Sequence, residues 1–264
     1  MKRNSIFLIF LLVTLTACNT APTPTPKPAV KAPTEALTFK NTVVSLTFDD
    51  GNADNYAVRN TLSRNNLHAT FYIVSGFTGQ EGFMTASQLQ DLYADGNEIG
   101  GHSLSHAELT DLDETGLREE ICQDRMNLLA LGFEVTSFAY PFGHYDDESE
   151  QVVKDCGYNN ARGIMDGPDV VPPSDSFGLQ AMPYIVSDTR LPKMRRYVTG
   201  VEQDGGGWVI FIFHHICDEC NKFSVSPQVF TEFAAWLHDQ QSNGLVVRTV
   251  SEVIGGRTLP GVSP

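Results

Sequence analysis

The sequence predicts an α/β fold, a barrel of about seven parallel strands. Apolar, β-branched or aromatic runs alternate along the chain with amphipathic segments, and this alternation is typical of right-handed β-α-β units. Runs that are apolar throughout, such as VIFIF at residues 209–213, are typical of parallel strands covered on both faces. An open, doubly wound sheet is the alternative, but the sequence has no glycine-rich phosphate loop to support a nucleotide site.

The predicted strands are short runs rich in β-branched and aromatic residues, and the predicted helices carry apolar residues at helical spacing. The predicted strands span residues 42–48, 68–74, 98–101, 135–140, 160–164, 208–213 and 245–250. The predicted helices span residues 53–65, 85–95, 113–131, 146–156 and 227–242. One folded domain is expected over residues 38–257, a length that suits a single α/β barrel, with residues 258–264 as a tail.

Residues 1–18 have the pattern of an export signal. Lys2 and Arg3 form a basic start, an apolar stretch follows, and small residues lead to Cys18. This pattern resembles a bacterial lipoprotein signal, which implies cleavage before Cys18, acylation of its thiol and an exported domain that is tethered to a membrane without spanning it. An ordinary secretory signal is the alternative. Residues 19–37 are rich in Pro and Thr and are expected to form an extended spacer.

The net negative charge of the chain bears on which classes of molecule it can bind. The sequence has 18 Lys and Arg against 32 Asp and Glu, a net charge of −14. Binding to nucleic acid through phosphates needs a basic surface, so the sequence argues against a nucleic-acid partner. We expect a monomer whose contact with a membrane is limited to the lipid anchor.

Four cysteines remain after Cys18, and in an oxidising compartment disulfides are the default expectation. We favour pairing Cys122 with Cys156 and Cys217 with Cys220, because the second pair closes a short loop and leaves the first two for each other. The alternatives are a redox-active C-x-x-C at residues 217–220 and a structural zinc site that adds His215. C-x-x-C alone is a weak signal for either.

Four clusters with polar or turn-forming residues each follow a predicted strand. They are DDG at residues 49–51, HSLSH at 102–106, PFG at 141–143 and HH at 214–215. Active sites of α/β barrels are built from the loops at the carboxyl ends of the strands. The four clusters are therefore expected to meet at one face of the barrel.

Two of these clusters together predict a metal site. His102 and His106 are spaced to project from one face of a helical turn, where they can share a metal ion. An isolated H-x-x-x-H is more often structural, and D-D-G alone is more often a turn, so their combination is the signal. Asp49 and Asp50 are adjacent and Gly51 allows a sharp turn, so one carboxylate can bind the ion while the other accepts a proton from water.

The four motifs together resemble those of the polysaccharide deacetylase family, a group of metal-dependent carbohydrate esterases. They are TFDDG at residues 47–51, HSLSH at 102–106, YPFG at 140–143 and IFIFH at 210–214, and they span most of the predicted domain. The resemblance implies a distorted barrel of about seven strands and a bound divalent ion. Zn²⁺ is the first expectation for this ion, and Co²⁺ or another divalent ion is the alternative. The resemblance also implies hydrolysis of acetamide groups on an N-acetylglucosamine-containing polysaccharide such as peptidoglycan or a chitin-like chain.

Carried over position by position, the resemblance implies a complete set of reacting groups. They are the general base Asp49, the metal ligands Asp50, His102 and His106, the general acid His214, the oxyanion-binding backbone N–H of Phe142 and the acetyl-pocket residue Ile212. His215 lies on the opposite side of the strand and is expected to be a packed or exposed neighbour.

Two features of the family are missing. The third motif usually begins with an arginine that pairs with the base, but Ala139 stands there. Arg162 on the next predicted strand is the candidate to reach the same space, and a packing or surface role is the alternative. An aspartate–tryptophan element that orients the acid histidine is not recognisable, and Asp188 is a candidate for its role.

Other functions remain open at this point. A surface-tethered carbohydrate-binding protein without turnover, an acetyl-xylan esterase and a thiol oxidoreductase using Cys217 and Cys220 are the alternatives. Residues 75–83 and 166–177 are the predicted loops for substrate range, because their aromatic side chains can stack on sugar rings; packing within the fold is the alternative role of these side chains.

Overall fold

The computed structural model describes residues 42–164 and 167–264. The predicted export signal with Cys18, the predicted spacer at residues 19–37 and Asp166 of one predicted loop lie outside these residues. In the two described ranges, no helix is both long enough and apolar enough to cross a bilayer.

The described residues form nine strands. They are β1 (Thr42–Phe48), β2 (Thr70–Ile73), β3 (Glu98–Gly101), β4 (Ser137–Ala139), β5 (Asn160–Arg162), β6 (Gly207–Phe213), β7 (His215–Ile216), β8 (Ser224–Val225) and β9 (Val246–Val247). Seven strands make one parallel sheet in the order β5-β4-β3-β2-β1-β6, with β9 also paired to β1. The prediction of about seven parallel strands is confirmed, and β7 and β8 form a small second sheet that the sequence did not indicate.

Seven α-helices connect or cover the strands in the described ranges. They are α1 (Arg59–Arg64), α2 (Ala86–Ala94), α3 (Glu114–Ala130), α4 (Asp147–Asp155), α5 (Leu191–Gln203), α6 (Pro227–Gln241) and α7 (Val250–Ile254). Short 3₁₀ turns occupy Ala53–Val58, Ser75–Phe77, Leu109–Asp111 and Pro141–Gly143. Four predicted helices begin at side chains that accept a backbone N–H of the first turn, namely Thr85, Asp113, Asp146 and Ser226.

The barrel closes through a segment that is not a regular strand. On one side, the N–H of Leu179 donates to the carbonyl of Ala161 in β5 at 3.0 Å. On the other side, the N–H groups of Met182 and Ile185 donate to carbonyls of β6 at 2.9 and 3.1 Å. Residues 179–185 therefore bridge the two outer strands, and this irregular bridge is what makes the barrel distorted.

The strands bury both faces, as the apolar runs predicted. In β6, the alternate residues Trp208, Ile210 and Ile212 pack inside the barrel in a small cluster that includes Leu179. Intervening residues such as Phe211 belong to the larger core beneath the helices. By the same alternation, His214 follows Ile212 on the face of the chain that points into the barrel.

The chain beyond residue 257 contacts the domain. Arg125 is fully buried in α3, and its Nη2 donates to the carbonyl of Leu259 at 2.8 Å while its Nη1 donates to that of Pro260 at 3.2 Å. Because a buried guanidinium needs acceptors, these carbonyls are part of its solvation. The first residues of the predicted tail, residues 258–264, thus pack as part of the fold.

The structure contains both disulfides favoured from the sequence. Cys122 is joined to Cys156 between α3 and the end of α4, and Cys217 is joined to Cys220 just after β7. The alternative zinc site is not formed, because the Cys217 and Cys220 sulfurs are bonded to each other, and His215 Nδ1 lies 2.8 Å from a carboxylate oxygen of Asp54.

Candidate active site

The three predicted metal ligands converge beyond the carboxyl ends of β1 and β3. Asp50 Oδ1 lies 3.6 Å from His102 Nε2 and 3.5 Å from His106 Nε2. Ligand atoms held at about 2.1 Å by one tetrahedral ion stand about 3.4 Å apart, so these separations fit a shared divalent cation. One carboxylate oxygen and two imidazole nitrogens form a donor set that suits Zn²⁺ and other first-row divalent ions.

The two histidines lie in a loop, and the helical turn expected from their spacing is wrong. Ser103 and His106 have positive φ angles of 66° and 60°, which a helical turn does not allow. The N–H of His106 donates to Ser103 Oγ at 2.9 Å, which closes the loop locally. This tight loop, and not a helix face, turns both imidazoles toward Asp50.

His102 is oriented by its second ring nitrogen. Its Nδ1 lies 2.7 Å from the carbonyl oxygen of Ala139 and donates to it, which leaves Nε2 with a free lone pair facing Asp50. His102 is buried, so this tautomer has no competing water contact. Ala139 therefore serves the site through its backbone, although its side chain replaces the arginine that the motif usually carries.

The two aspartates place negative charge beside the imidazoles of His102 and His106, which favours a cation at this position. Burial would raise the pKa of the Asp50 carboxyl, but its interaction with His102 and the nearby histidine charges outweigh this and hold the pKa below its usual range. Burial lowers the pKa of His102, but the hydrogen bond to Asp50 and the charges of Asp49 and Asp50 outweigh this effect, so the pKa lies above its usual value. Burial and the charge of His102 lower the pKa of His106, which favours the neutral, ligating form.

Asp49 lies beside this ligand set and is fixed by Arg162. The guanidinium Nη2 donates to Asp49 Oδ2 at 2.6 Å, and both side chains are buried. Arg162 belongs to β5, which stands four places from β1 in the sheet, so the contact crosses the inside of the barrel. Asp49 Oδ1 is buried and has no hydrogen-bond partner among the described residues. One carboxylate oxygen is thus held in place while the other is free to accept a proton.

His214 follows β6 on the same side of the site. Its ring packs against the rings of Tyr184 and Phe223, with centroids 5.2 and 5.3 Å away. Burial lowers the pKa of His214, and the charges of Asp49 and Asp50 only partly oppose this shift. The structure does not bring Asp188 to this ring, because Asp188 is exposed and the buried Nδ1 of His214 has no partner within residues 42–164 and 167–264.

Two asparagines that the sequence analysis did not single out contact the backbone of His214. Asn55 Nδ2 donates to its carbonyl oxygen at 2.8 Å, and Asn52 Nδ2 donates to the same oxygen at 3.0 Å. Both residues are buried and lie directly after the D-D-G turn. Their position next to that turn is the signal in the sequence that could have drawn attention to them.

The remaining predicted groups border the site. Phe142 has φ 57° and ψ −2°, and its half-exposed ring meets the ring of His106 at a centroid distance of 4.6 Å. Ile212 is fully buried on the inner side of β6, two residues before His214. In the predicted loop at residues 75–83, the rings of Phe77 and Phe83 pack against each other in a tilted arrangement, with centroids 4.8 Å apart.

A family model described as polysaccharide deacetylase matches residues 36–161. A putative polysaccharide deacetylase of Bacillus subtilis (strain 168) is 29% identical over 137 residues, which make up 51% of this chain and 49% of that protein. A peptidoglycan-N-acetylglucosamine deacetylase of Listeria monocytogenes is 26% identical over 132 residues, 49% of this chain and 27% of that protein. A chitin deacetylase of Pestalotiopsis sp. is 33% identical over 107 residues, 40% of this chain and 35% of that protein. The chain thus spans half or less of the length of these relatives.

Solved structures share the fold over a larger part of the chain. A family 4 carbohydrate esterase from Streptomyces lividans in complex with acetate has a TM-score of 0.55 at 20% identity, covering 85% of this chain and 98% of that one. A family 4 acetyl xylan esterase from Clostridium thermocellum in complex with a cobalt ion has a TM-score of 0.58 at 20% identity, covering 80% and 90%. At this identity the likeness shows the fold. Residues 36–161 of this chain are thus similar to the polysaccharide deacetylase family, and the chain shares the fold of the family 4 carbohydrate esterases.

Proposed function

We propose that this protein is a metal-dependent hydrolase that removes acetyl groups from an N-acetylglucosamine-containing polysaccharide. One observation carries the proposal: the buried, unpartnered Oδ1 of Asp49 stands beside three converging metal-ligand atoms. A protein that only bound sugar would gain nothing from a buried carboxylate oxygen without a partner. The relatives described as peptidoglycan and chitin deacetylases support the substrate class.

The proposed ion is bound by Asp50 Oδ1, His102 Nε2 and His106 Nε2. We propose Zn²⁺, with Co²⁺ or another first-row divalent ion as a working substitute, because imidazole and carboxylate ligands suit all of these ions. When bound, the ion supplies Lewis acidity toward the acetyl carbonyl and toward water. The neutral form of His106 and the ionised form of Asp50 are the states that their pKa shifts favour.

Asp49 is the proposed general base. Its free Oδ1 takes a proton from the attacking water, while Arg162 holds Oδ2 and so fixes the plane of the carboxylate. The backbone N–H of Phe142 is proposed to donate to the oxygen that becomes negative as the carbonyl is attacked. Ile212 is proposed to bound the space for the acetyl methyl group.

His214 is the proposed general acid. Cleavage of the C–N bond expels an amine, which is a poor leaving group unless its nitrogen is protonated. The imidazolium of His214 supplies that proton to the nitrogen as the C–N bond breaks, and the proton that Asp49 takes from water restores the overall balance. The amide and one water thus give acetate and a protonated amine. Burial lowers the pKa of His214, so its protonated form is a stronger acid but is present over a narrower, more acidic pH range.

We also propose, from the sequence alone, that the mature protein is exported and anchored through an acylated Cys18. Residues 19–37 would then hold the domain away from the membrane, facing the cell envelope or exterior. We also propose that the protein is a monomer and that its partner is the polysaccharide substrate. A nucleic-acid partner is not expected, since the net charge of the chain is −14.

Acetate release from purified polymers tests the function. Metal-loaded protein should release acetate from peptidoglycan, chitin oligomers or a glucosamine polymer, and chelation should abolish the release until metal is restored. Release from acetylated xylan alone would identify an acetyl-xylan esterase. Binding to these polymers without release would identify a carbohydrate-binding protein, and disulfide reduction that survives chelation would identify a thiol oxidoreductase.

A further inference from the structure

In the part of the chain that the structure describes, no polar side chain hydrogen-bonds to the Nδ1 of His214. Its buried Nδ1 accepts or donates no hydrogen bond within the described residues, and its ring contacts are with Tyr184 and Phe223. A group that transfers a proton must be held within a fraction of an ångström of its productive position. The position of this ring therefore depends on how firmly its main chain is held.

The carbonyl oxygen of His214 is held by two side-chain amides. Asn55 Nδ2 donates to it at 2.8 Å and Asn52 Nδ2 donates at 3.0 Å. Asn55 is fully buried and Asn52 is 7% exposed, so water does not compete for either bond. A carbonyl oxygen has two lone pairs, and these two donors use both of them.

The same amides link this carbonyl to the residues around the metal ligands. Asn52 Nδ2 also lies 3.3 Å from Asp50 Oδ2, the oxygen that does not face the histidines. Asn55 Nδ2 also donates to Asp54 Oδ1 at 3.0 Å, and Asp54 Oδ1 accepts the N–H of Ile216 at 3.2 Å. The turn after β1 therefore holds both the metal-ligand carboxylate and the chain from the His214 carbonyl to the Ile216 N–H.

We propose that Asn52 and Asn55 are positioning residues, which set the place of the His214 imidazole relative to the metal ligand Asp50. The inference rests on the proposed deacetylation, because only a reacting His214 needs this alignment. Asn55 Oδ1 is buried without a partner, so the contribution of this side chain comes from its two Nδ2 donors. Asn52 couples the two halves of the site directly, since one nitrogen contacts both Asp50 and the His214 carbonyl.

A double-mutant cycle with His214 tests the proposal. Asn55→Ala should lower kcat for acetate release from an N-acetylglucosamine oligomer about tenfold to a hundredfold, with KM within about twofold. In a His214→Ala background, the same substitution should change kcat by less than about twofold, because the ring that it positions is gone. Asn52→Ala should behave in the same way while the protein still binds one divalent ion.

Asn97 provides a matched control at the opposite end of the barrel. It is also buried, its Oδ1 accepts the N–H of Ala69 at 3.0 Å, and its Nδ2 donates to the carbonyl of Leu92 at 2.9 Å. Asn97→Ala removes comparable backbone contacts, so it should lower the stability of the fold without changing kcat in the folded fraction.

The imidazole NMR signal of His214 gives a readout that does not depend on turnover. The signal is assigned as the one that disappears in His214→Ala. The signal should shift or broaden in Asn55→Ala and stay unchanged in Asn97→Ala. An equal loss of kcat in both backgrounds, or an unshifted His214 signal, would overturn the positioning role. An inactive wild-type protein would instead overturn the proposed deacetylation, and the NMR comparison would still decide whether Asn55 positions the ring.

Discussion

Two of the buried carboxylates, Asp49 and Glu98, lie near opposite ends of the barrel, and their surroundings differ. Glu98 at the start of β3 has both oxygens occupied, because Ser137 Oγ donates to one and Thr70 Oγ1 and the Ser251 N–H donate to the other. Asp49 beyond β1 has one oxygen bound to an arginine and one without a partner. The fully bonded carboxylate has no oxygen left for another group, whereas the half-bonded one keeps an oxygen available, as the proposed general base requires.

The backbone shows the same contrast between the two ends. Six non-glycine residues in the described ranges have positive φ, and four of these, Asp50, Ser103, His106 and Phe142, border the metal-ligand set. Such conformations cost free energy and persist where the surrounding structure requires them. The opposite end has a cavity of about 800 Å³ beside Glu98. Its lining, as far as the chain is described, includes no cluster of side chains that could hold a metal.

The largest expected effect separates the two carboxylates directly. Asp49→Asn should lower acetate release about 10²- to 10⁴-fold, because the proton acceptor is lost while the metal ligands remain. Glu98→Gln should keep near wild-type activity in the folded protein, since Glu98 does not reach the site. Rates measured at equal metal content check this pair, and full activity in Asp49→Asn would break the contrast.

The arginine that holds Asp49 gives the next effect. Arg162→Leu leaves a buried carboxylate without its cation, and breaking a buried pair costs about 3–5 kcal/mol of unfolding free energy. The double variant Asp49→Asn with Arg162→Leu should recover part of this loss, because it carries no unpaired buried charge. Urea unfolding measures both, with the surface variant Arg118→Leu as a control that should change little. Equal stability of Arg162→Leu and wild type would show that the pair is not coupled.

A third buried carboxyl extends the comparison to pH. Asp124 in α3 accepts the Ser75 N–H and the Tyr158 hydroxyl but has no cation, and burial raises its pKa to about 8. The folded protein therefore keeps a proton that the unfolded chain releases above about pH 4, so wild-type stability falls as pH rises from about 4 to about 8.

Asp124→Asn removes this titration while keeping the shape of the side chain. Relative to wild type, the variant should gain stability progressively between about pH 4 and pH 8, by a few kcal/mol in total. Unfolding free energies measured across that range check the sign. Parallel pH profiles for the two proteins would mean that Asp124 is ionised in the fold, as a carboxylate with a cation would be.

The smallest expected effect distinguishes the two disulfides. Cys122–Cys156 joins residues 34 apart, remote from the site, and Cys217–Cys220 joins residues 3 apart next to β7. The loop-entropy estimate gives about 4 kcal/mol for the long loop and about 2 kcal/mol for the short one. Replacing each pair by serines should therefore lower the denaturation midpoint more for the first pair. The reverse order would give the short loop beside His214 a larger structural role than its length implies.

Much of the site could be predicted from the sequence because its side chains follow the ends of apolar strands. Asp50, His102 and His106 were each placed next to a strand end, and such ends meet at one face of a barrel. Arg162 could be predicted for the same reason. It ends β5, the strand that follows β4, and β4 ends at Ala139 where the family motif has an arginine. The contact of Arg162 with Asp49 follows from the curl of the sheet.

The remaining features depend on backbone geometry that residue spacing does not encode. The His102–His106 loop was expected to be a helical turn, because spacing alone cannot reveal the positive φ of Ser103. The bridge at residues 179–185 closes the barrel without regular strand pairing, so periodicity could not identify it. Helix α5 begins after Arg190 without a side-chain cap, so Pro192 in its first turn is the start signal that the sequence offers there.

The central claim is that Asp50, His102 and His106 bind one divalent ion with Asp49 free beside it. Crystals grown with Zn²⁺ or Co²⁺ and measured at the absorption edge of the metal would test it most directly. The account predicts one anomalous peak about 2.0–2.2 Å from Asp50 Oδ1, His102 Nε2 and His106 Nε2, with Asp49 outside the coordination shell. A peak elsewhere, or an ion coordinated by Asp49 in place of Asp50, would contradict it.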